Sequence, residues 1–191
     1  EKNTLDGIDL YFEWAENEKE YKDYSLAILK MREVLGNKYL FSVSLHPVCY
    51  KISKEAIEAV DFISLQCYGP SPVRFPIEKY CSDIQMVLEY GIPKEKLVAG
   101  VPFYGVTKDN SKKTEAYFNF VQNGLVTSPA QNEVIYQGDT YVFDGQDNIR
   151  IKTRYAKEQK LKGMMSWDLA TDLPLSDSRS LLKTMTEELR E

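Results

Sequence analysis

The sequence lacks the patterns by which several common classes of protein are recognised. Its one histidine and three cysteines form no metal-ligating set and no disulfide framework, and it has neither a glycine-rich phosphate loop nor a GxSxG elbow. No basic block accompanies the net charge of −5, and no apolar run approaches the roughly 18 residues of a membrane span. We therefore expect no metal, no cofactor, no nucleic-acid partner and no membrane span.

What the sequence has is a regular alternation of strand and helix patterns. The 191 residues, 43% of them hydrophobic and 28% charged, suit a single globular domain over residues 1–191. Strands are predicted near residues 6–14, 39–45, 60–68, 97–104 and 163–169. Amphipathic helices are predicted near residues 24–35, 53–59, 76–90, 149–160 and 177–190. This alternation indicates an α/β fold with a parallel sheet.

One segment breaks the alternation. Residues 106–148 lie between the fourth strand and the helix that should follow it, and they contain Gly, Asn and Gln together with short Tyr-Val-Phe fragments. This composition favours short antiparallel strands. We therefore expect a small insertion over residues 106–148 within the domain.

The opening strand carries the most informative residues, in the segment DGIDLYFE from Asp6 to Glu13. Because side chains alternate along a strand, one face is polar and ends in a carboxyl group: Asp9, Tyr11 and Glu13. The opposite face is apolar and suits packing under helices. In a barrel of parallel strands, active sites are built where the strands meet the loops that follow them, and Glu13 occupies that position.

The same alternation predicts polar inner faces on the next two strands. In the second strand Ser42, Ser44 and His46 would share a face, and in the third Gln66 and Tyr68 would. If these faces meet, several hydrogen-bonding groups gather beside the polar face of the first strand. Such a cluster is costly unless its members bond to one another or to a ligand. Two interpretations therefore remain open: internal polar packing or a functional site.

Glu13 and Trp167 each allow two interpretations. A Glu at a strand end is most often a solvated carboxylate, but Trp14 and the aromatic residues of later strands would partly exclude water from Glu13, as suits a proton donor. Trp167 ends the fifth strand, where it is either a core residue or a flat apolar face for a sugar ring.

Taken in order, these motifs resemble glycoside hydrolase family 18, which contains chitinases and endo-β-N-acetylglucosaminidases. Asp6–Glu13 resembles the DGxDxDxE signature of the fourth barrel strand, and Gln66 with Tyr68 resembles the M/Q-x-Y motif of the sixth. Further segments resemble the seventh strand, the lead-in to the last barrel helix but one, and the eighth strand: residues 97–105 (LVAGVPFYG), 143–155 (FDGQDNIRIKTRY) and 163–169 (GMMSWDL). The resemblance covers nearly the whole chain.

The resemblance implies a (β/α)8 TIM barrel, of which this chain would match only the C-terminal part, about strands four to eight, with a small insertion after strand seven. A full barrel takes about 250 residues and at least roughly 200, whereas this chain has 191. Five parallel strands alone would leave unpaired edges. We expect either a fragment, with the N-terminal barrel segment as its missing partner, or completion by another chain; eight strands from one copy would contradict this.

The implied activity is hydrolysis of β-1,4-linked N-acetylglucosamine polymers or glycans with retention of configuration. The family's mechanism is substrate-assisted, so one Glu protonates the leaving oxygen while the sugar's own acetamido oxygen attacks the anomeric carbon. The implied catalytic residues are Glu13 as acid and then base, Asp9 behind it, and Tyr68 on the acetamido oxygen. The implied substrate-binding residues are Tyr11, Gln66, Tyr104 and Trp167, the last stacked beneath the sugar.

Two positions depart from the family pattern. Tyr11 stands where the family has the Asp that orients the acetamido group and stabilises the oxazolinium charge, and Gly69 stands where Asp or Asn often follows the sixth-strand Tyr. Losing one well-placed carboxylate costs several kcal/mol of transition-state stabilisation, on the order of hundredfold or more in rate. Either activity is weak, or other groups support the substrate, or catalysis is absent.

Three functional hypotheses follow. The first is a glycosidase that acts on an N-acetylglucosamine-containing oligosaccharide or polysaccharide. The second is a catalytically inactive, lectin-like protein that keeps the groove. The third is an α/β domain unrelated to sugars, in which Asp9, Tyr11 and Glu13 serve only as internal polar packing. By resemblance alone, the protein would be secreted, periplasmic or on the cell surface.

Overall fold

The computed structural model describes residues 5–12 and 14–190. Glu13, on which the catalytic prediction rests, lies outside the described residues, so its role remains a prediction. In the part of the chain that is described, no helix is both long enough and apolar enough to cross a bilayer.

The strands, numbered along the chain, form two sheets within the described ranges. They are β1 Gly7–Tyr11, β2 Leu40–Leu45, β3 Phe62–Leu65, β4 Leu97–Pro102, β5 Tyr104–Thr107, β6 Thr114–Ala116, β7 Glu133–Tyr136, β8 Asp139–Val142 and β9 Gly163–Trp167. One sheet is parallel, in the order β1-β2-β3-β4-β9, and the other is antiparallel, in the order β6-β5-β8-β7. The predicted α/β fold with a parallel sheet is confirmed, and the segment after β4 does form antiparallel strands.

Helices lie between successive parallel strands, within the antiparallel segment and after the last strand, and residues of the sequence cap some of their ends. They are α1 Glu18–Leu35, α2 Lys54–Ala59, α3 Ile77–Tyr90, α4 Tyr117–Gln122, α5 Gln146–Glu158 and α6 Leu181–Arg190, with short 3-10 turns at Pro72–Arg74, Lys94–Lys96 and Leu169–Thr171. Ser53 caps α2, because its side chain accepts a hydrogen bond from the backbone N–H of Ala56. Gly91 ends α3 in the left-handed region, at φ 112°.

Four of the five parallel strands end earlier than predicted, whereas β2 ends at Leu45 as predicted. β1 stops at Tyr11 rather than Trp14, and Trp14 has a φ of 75°, which no extended strand residue adopts. α1 instead begins earlier than predicted, because the Asn17 side chain accepts a hydrogen bond from the backbone N–H of Glu20 and caps the first turn.

The outer face of the parallel sheet forms the core beneath the helices. The apolar alternate residues of two neighbouring strands are at most 1% exposed: Phe41, Val43 and Leu45 on β2, and Ile63 and Leu65 on β3. Ile28 of α1 and Ile84 of α3 belong to the same cluster. Because each fully buried aliphatic or aromatic side chain contributes roughly 1.5–3 kcal/mol, this face holds the helices on the sheet. The predicted alternation of β2 and β3 is confirmed.

Within the described ranges, β1 and β9 form the two edges of the parallel sheet. Side chains near the β1 edge are poorly covered, since Leu5 is 67% exposed and Leu40, on the neighbouring strand, 54%. The residues of β9 from Gly163 to Ser166 are only partly buried. An edge strand carries a row of backbone N–H and C=O groups without a strand partner. These edges are therefore surfaces at which further strands can pair.

Candidate functional site

Polar side chains of β1 and β2 meet on the inner face of the parallel sheet. The two strands pair in register, with Asp9 opposite Ser42 and Tyr11 opposite Ser44. The hydroxyl of Ser42 donates a 2.5 Å hydrogen bond to one carboxylate oxygen of Asp9, and that of Ser44 a 2.9 Å bond to the other. The predicted meeting of these two polar faces is confirmed, and the carboxylate of Asp9 is fixed in orientation.

His46 links the end of β2 to the segment that follows β3. Its Nδ1 accepts a 3.3 Å hydrogen bond from the backbone N–H of Val48, and its Nε2 lies 3.1 Å from the carbonyl oxygen of Tyr68. Because a carbonyl only accepts, Nε2 must carry the proton, and the neutral ring satisfies both contacts. The Trp14 ring lies 5.4 Å from the His46 ring, between centroids. An aromatic residue therefore borders this end of the sheet.

Gly69 follows Tyr68 and leaves room beside His46. A Cβ placed on Gly69 would have His46 Nε2 at 3.8 Å and Arg74 Cγ at 3.9 Å as its nearest neighbours. Both distances are ordinary van der Waals contacts. The backbone of Gly69 is not among those with a positive φ. The lack of a side chain at this position is therefore not imposed by sterics.

Tyr68 and Tyr104 form an aromatic pair at the same end. Their ring centroids are 6.3 Å apart, edge to face, and the hydroxyl of Tyr68 donates a 3.5 Å contact to Sδ of Met165. Gly100 allows the Tyr68 ring to lie close to β4, since a Cβ there would come within 2.8 Å of it. Burial raises the pKa of Tyr104, and the negative charge of Asp144 also raises it, so this phenol stays protonated at neutral pH.

Tyr104 and Trp167 line one pocket between the end of the parallel sheet and β6. Its volume is about 350 Å³, and its other lining residues are Pro70, Thr114, Glu115, Ala116, Asp168 and Thr171. That volume lies in the lower part of the range of ligand sites, roughly 300–1,000 Å³. Trp167 is 56% exposed, so it is not a core residue.

Among the predicted site residues that the structure describes, Gln66 has a buried side-chain donor without a hydrogen-bond partner. It is 6% exposed, and its Nε2 has no hydrogen-bond partner in the described part of the chain. A buried donor left in this way costs about 1–3 kcal/mol. Such exceptions call for an explanation, and a ligand is one.

Among the described residues, the structure brings the predicted site residues together in two groups: Asp9 with Ser42 and Ser44, and Tyr68 and Trp167 each with Tyr104. Tyr11 lies beside Ser44 in register and is 53% exposed, and Glu13 is outside the described ranges. Sequence reasoning missed Glu115 and Asp168, which help line the pocket. Neither belongs to the strand alternation that guided the prediction. Among residues 5–12 and 14–190, no three His, Cys, Asp or Glu side chains are grouped so as to hold a metal ion.

An α/β domain whose polar and aromatic side chains gather where parallel strands end is built to bind or transform a ligand there. Comparison with known protein families assigns the chain to one of them. Residues 1–172 match the family model described as Glycosyl hydrolases family 18. The chain therefore belongs to glycosyl hydrolase family 18, a family of glycosidases.

Individual relatives agree with this family. Probable chitinase 2 of Drosophila melanogaster is 23% identical over 235 residues, which cover 90% of this chain and 48% of that protein. The solved structure of the GH18 chitinase ChiB of Flavobacterium johnsoniae is 28% identical, with a TM-score of 0.77 over 96% of this chain and 60% of that one. A chitinase-like agglutinin of Robinia pseudoacacia, at 18% identity, shares the fold, with a TM-score of 0.72 over 96% of this chain and 67% of its own. The chain spans about half the length of the curated relatives it matches.

Proposed function

We propose that the protein is a retaining, substrate-assisted glycosidase that cleaves β-1,4-linked N-acetylglucosamine polymers or glycans. The observation that carries this proposal is the carboxylate of Asp9, which two serine hydrogen bonds orient on the inner face of the sheet. The aromatic pocket of Tyr104 and Trp167 supports it as a place for a sugar. The family membership of the chain supports the reaction class. Glu13, two residues after Tyr11 in the sequence, is the proposed general acid and base.

In the proposed reaction, each of four residues has its own role. Glu13 donates a proton to the leaving oxygen while the sugar's acetamido oxygen attacks the anomeric carbon, and then takes a proton from the water that opens the resulting oxazolinium ion. Asp9, held by its two serine hydrogen bonds, is the proposed partner behind Glu13 that tunes its charge. Tyr68 orients the acetamido oxygen, and Trp167 stacks beneath the sugar.

We also propose how the sheet is completed. Strands β1, β2, β3, β4 and β9 correspond to strands four to eight of a (β/α)8 barrel, and the open edges of β1 and β9 pair with an N-terminal barrel segment that supplies the first three. Residues 106–148 are an insertion whose strands wall the cleft beside Trp167. By the same resemblance, the protein acts outside the cytoplasm.

The direct test replaces the proposed acid in the full-length protein. Glu13→Gln keeps the shape of the side chain but cannot donate or accept the proton, so release of product from a chromogenic chitobiose derivative should fall by about 10²–10⁴-fold. Glu16→Gln, at an exposed position nearby, is the matched control and should keep the wild-type rate. Wild-type turnover that survives Glu13→Gln would contradict the proposal.

A second function, carbohydrate binding without turnover, is favoured by one observation. Tyr11 places an uncharged, half-exposed phenol where the family has a carboxylate, and the oxazolinium ion would lose that charge partner. Tyr11→Asp should raise hydrolysis about tenfold to hundredfold if the other groups are competent, with Tyr11→Asn as the uncharged control. A full-length protein that binds chitooligosaccharides, and stays inactive in both forms, supports the binding function; failure to bind them by calorimetry favours a domain unrelated to sugars.

A further inference from the structure

His46 is the one histidine of the chain, and its side chain joins two of the segments that follow the parallel strands. The residue is 8% exposed. Its Nε2–H donates to the carbonyl oxygen of Tyr68 at 3.1 Å, and its Nδ1 accepts from the backbone N–H of Val48 at 3.3 Å. A neutral imidazole has one donor and one acceptor, and these two contacts use both. The ring therefore links the segment after β2 to the segment after β3.

The backbone of His46 is itself held in place. Pro47 follows it, and a proline restricts the residue before it to extended conformations. The carbonyl of His46 accepts a 2.7 Å hydrogen bond from the N–H of Cys49, which closes a short turn. Because its backbone is fixed in these two ways, the imidazole can hold a neighbouring segment in position.

Tyr68 lies beyond the regular pairing of the parallel sheet. β3 ends at Leu65, three residues earlier. A 2.8 Å hydrogen bond from the backbone N–H of Gln66 to the carbonyl of Leu45 extends the pairing with β2 by one residue. At Tyr68, a side chain makes the link to the β2 segment, through the hydrogen bond from His46. The position of the Tyr68 backbone therefore depends on His46.

The Tyr68 ring depends in turn on where its backbone is held. The residue is 5% exposed, and its ring meets Tyr104 edge to face. Its hydroxyl lies 3.5 Å from Sδ of Met165, and a thioether is a weak acceptor. A ligand oxygen can therefore replace the sulfur as the partner of the hydroxyl, at a place that the backbone of Tyr68 sets.

The His46 ring also contacts the segment after β1. The Trp14 ring lies 5.4 Å from it, between centroids. Trp14 directly follows Glu13, the proposed acid, in the sequence. Its φ of 75° lies in the left-handed region, which a bulky residue adopts only where its surroundings hold it there. One imidazole thus touches the segments after three neighbouring strands.

We propose that His46 is a positioning residue for the proposed glycosidase, an inference that rests on the proposed function. By holding the carbonyl of Tyr68, it sets the place from which the Tyr68 hydroxyl orients the attacking acetamido oxygen. In this role His46 acts through Tyr68 and needs no contact with the sugar. Because a misplacement of about 1 Å can cost about 10²-fold in rate, one hydrogen bond to the Tyr68 backbone affects turnover.

Two substitutions remove the contacts of the imidazole one at a time. In His46→Gln the amide nitrogen lies at the ε position, as Nε2 does, so it can still donate to the carbonyl of Tyr68. In His46→Asn the side chain is one methylene shorter. Its Oδ1 can still accept from Val48, but its amide no longer reaches Tyr68. The two variants have the same polar group and differ in which neighbour it meets.

The test measures release of product from a chromogenic chitobiose derivative by the full-length protein. His46→Asn should lower kcat by about 10- to 100-fold, while KM changes by less than about threefold, because the sugar-binding pocket is unaltered. His46→Gln should recover most of the lost kcat. Each variant loses one of two hydrogen bonds, so the Tm should fall by no more than about 4 °C in both.

A double-mutant cycle tests whether His46 acts through Tyr68. Tyr68→Phe removes the hydroxyl, so misplacing the ring should then matter little. Adding His46→Asn to Tyr68→Phe should lower kcat by less than about threefold further. Losses that multiply would show that His46 acts independently of the Tyr68 hydroxyl, and would overturn the proposal.

The outcomes separate this role from a structural one and from the proposed function. Equal losses of kcat in His46→Gln and His46→Asn would overturn the proposal, because contact with Tyr68 would then not decide the rate. An unchanged kcat in His46→Asn would overturn it as well. Both results need an active wild type and leave the proposed function standing. A wild-type protein without hydrolysis would remove the proposed function, and the role of His46 with it.

Discussion

The two sides of the parallel sheet bury polar groups in opposite ways. On the helix side, Lys152 of α5 and Asp144 are both 0% exposed and form a 2.5 Å ion pair, and the Lys152 ammonium lies 5.4 Å from the centre of the Tyr80 ring of α3. On the inner side, Gln66 is only 6% exposed. Its Nε2 has no hydrogen-bond partner in the described part of the chain. The Lys152 and Asp144 side chains are fully enclosed, so they must satisfy one another. The inner side faces a proposed cleft, where a ligand can complete what the chain leaves open.

A second buried charge on the helix side follows the same rule. Asp83 of α3 is 1% exposed and is paired with Arg74 at 3.0 Å and also with Lys79. Since an unpaired buried charge is far more costly than an unpaired amide, these groups appear in matched sets. The buried charges described behind the sheet are therefore paired, whereas the inner side has an amide nitrogen without a partner in the described part of the chain.

Breaking the charge pair behind the sheet should give the largest change in stability. Lys152→Met leaves Asp144 buried without its cation, and we expect the free energy of unfolding to fall by about 3–5 kcal/mol. Denaturant unfolding followed by circular dichroism measures the loss.

The matched control removes both charges. Lys152→Met combined with Asp144→Leu leaves no buried ion, and most of the lost stability should return, because buried pairs contribute little net free energy compared with apolar residues. A double variant as unstable as the single one would show that packing, and not the unpaired charge, sets the cost.

Two adjacent residues of β3 test whether the two faces of the sheet contribute differently to stability. Leu65→Ala opens a cavity in the core and should cost about 2–5 kcal/mol. Ser64→Ala, one residue earlier on the inner face, should change the free energy of unfolding by less than about 1 kcal/mol. Both are read from the same unfolding curves in the full-length protein. Equal losses at the two positions would mean that the inner face is packed as part of the core.

The core of the sheet was predictable, and the helix faces less so. Strict alternation on β2 and β3 identified residues that are at most 1% exposed. In α1, however, Val34 continues the spacing of Met31 and yet is 87% exposed. Val34 lies six residues beyond the buried Ile28, about 240° around the helix. Local spacings of three and four residues drift around a helix, so they do not fix which end of an apolar stripe faces the core.

The features of the site that follow from side-chain alternation along individual strands were predictable from the sequence. Alternation and motif spacing placed Asp9 with Ser42 and Ser44, and the hydrogen bonds exist. The unpaired state of Gln66 depends on two neighbouring strands at once, and no periodicity encodes it. The contribution of Glu115 to the pocket depends on how the antiparallel sheet folds back over the strand ends. That placement is a property of the whole chain.

The open space at Gly69 makes this scaffold readily adaptable. A Cβ there would meet only His46 and Arg74 within 4 Å, both at normal contact distances, and the backbone φ does not require a glycine. A single substitution at this position could therefore place Asn or Asp beside Tyr68 without a change in the loop backbone. Natural or laboratory selection can therefore change the polarity of the proposed cleft through one substitution.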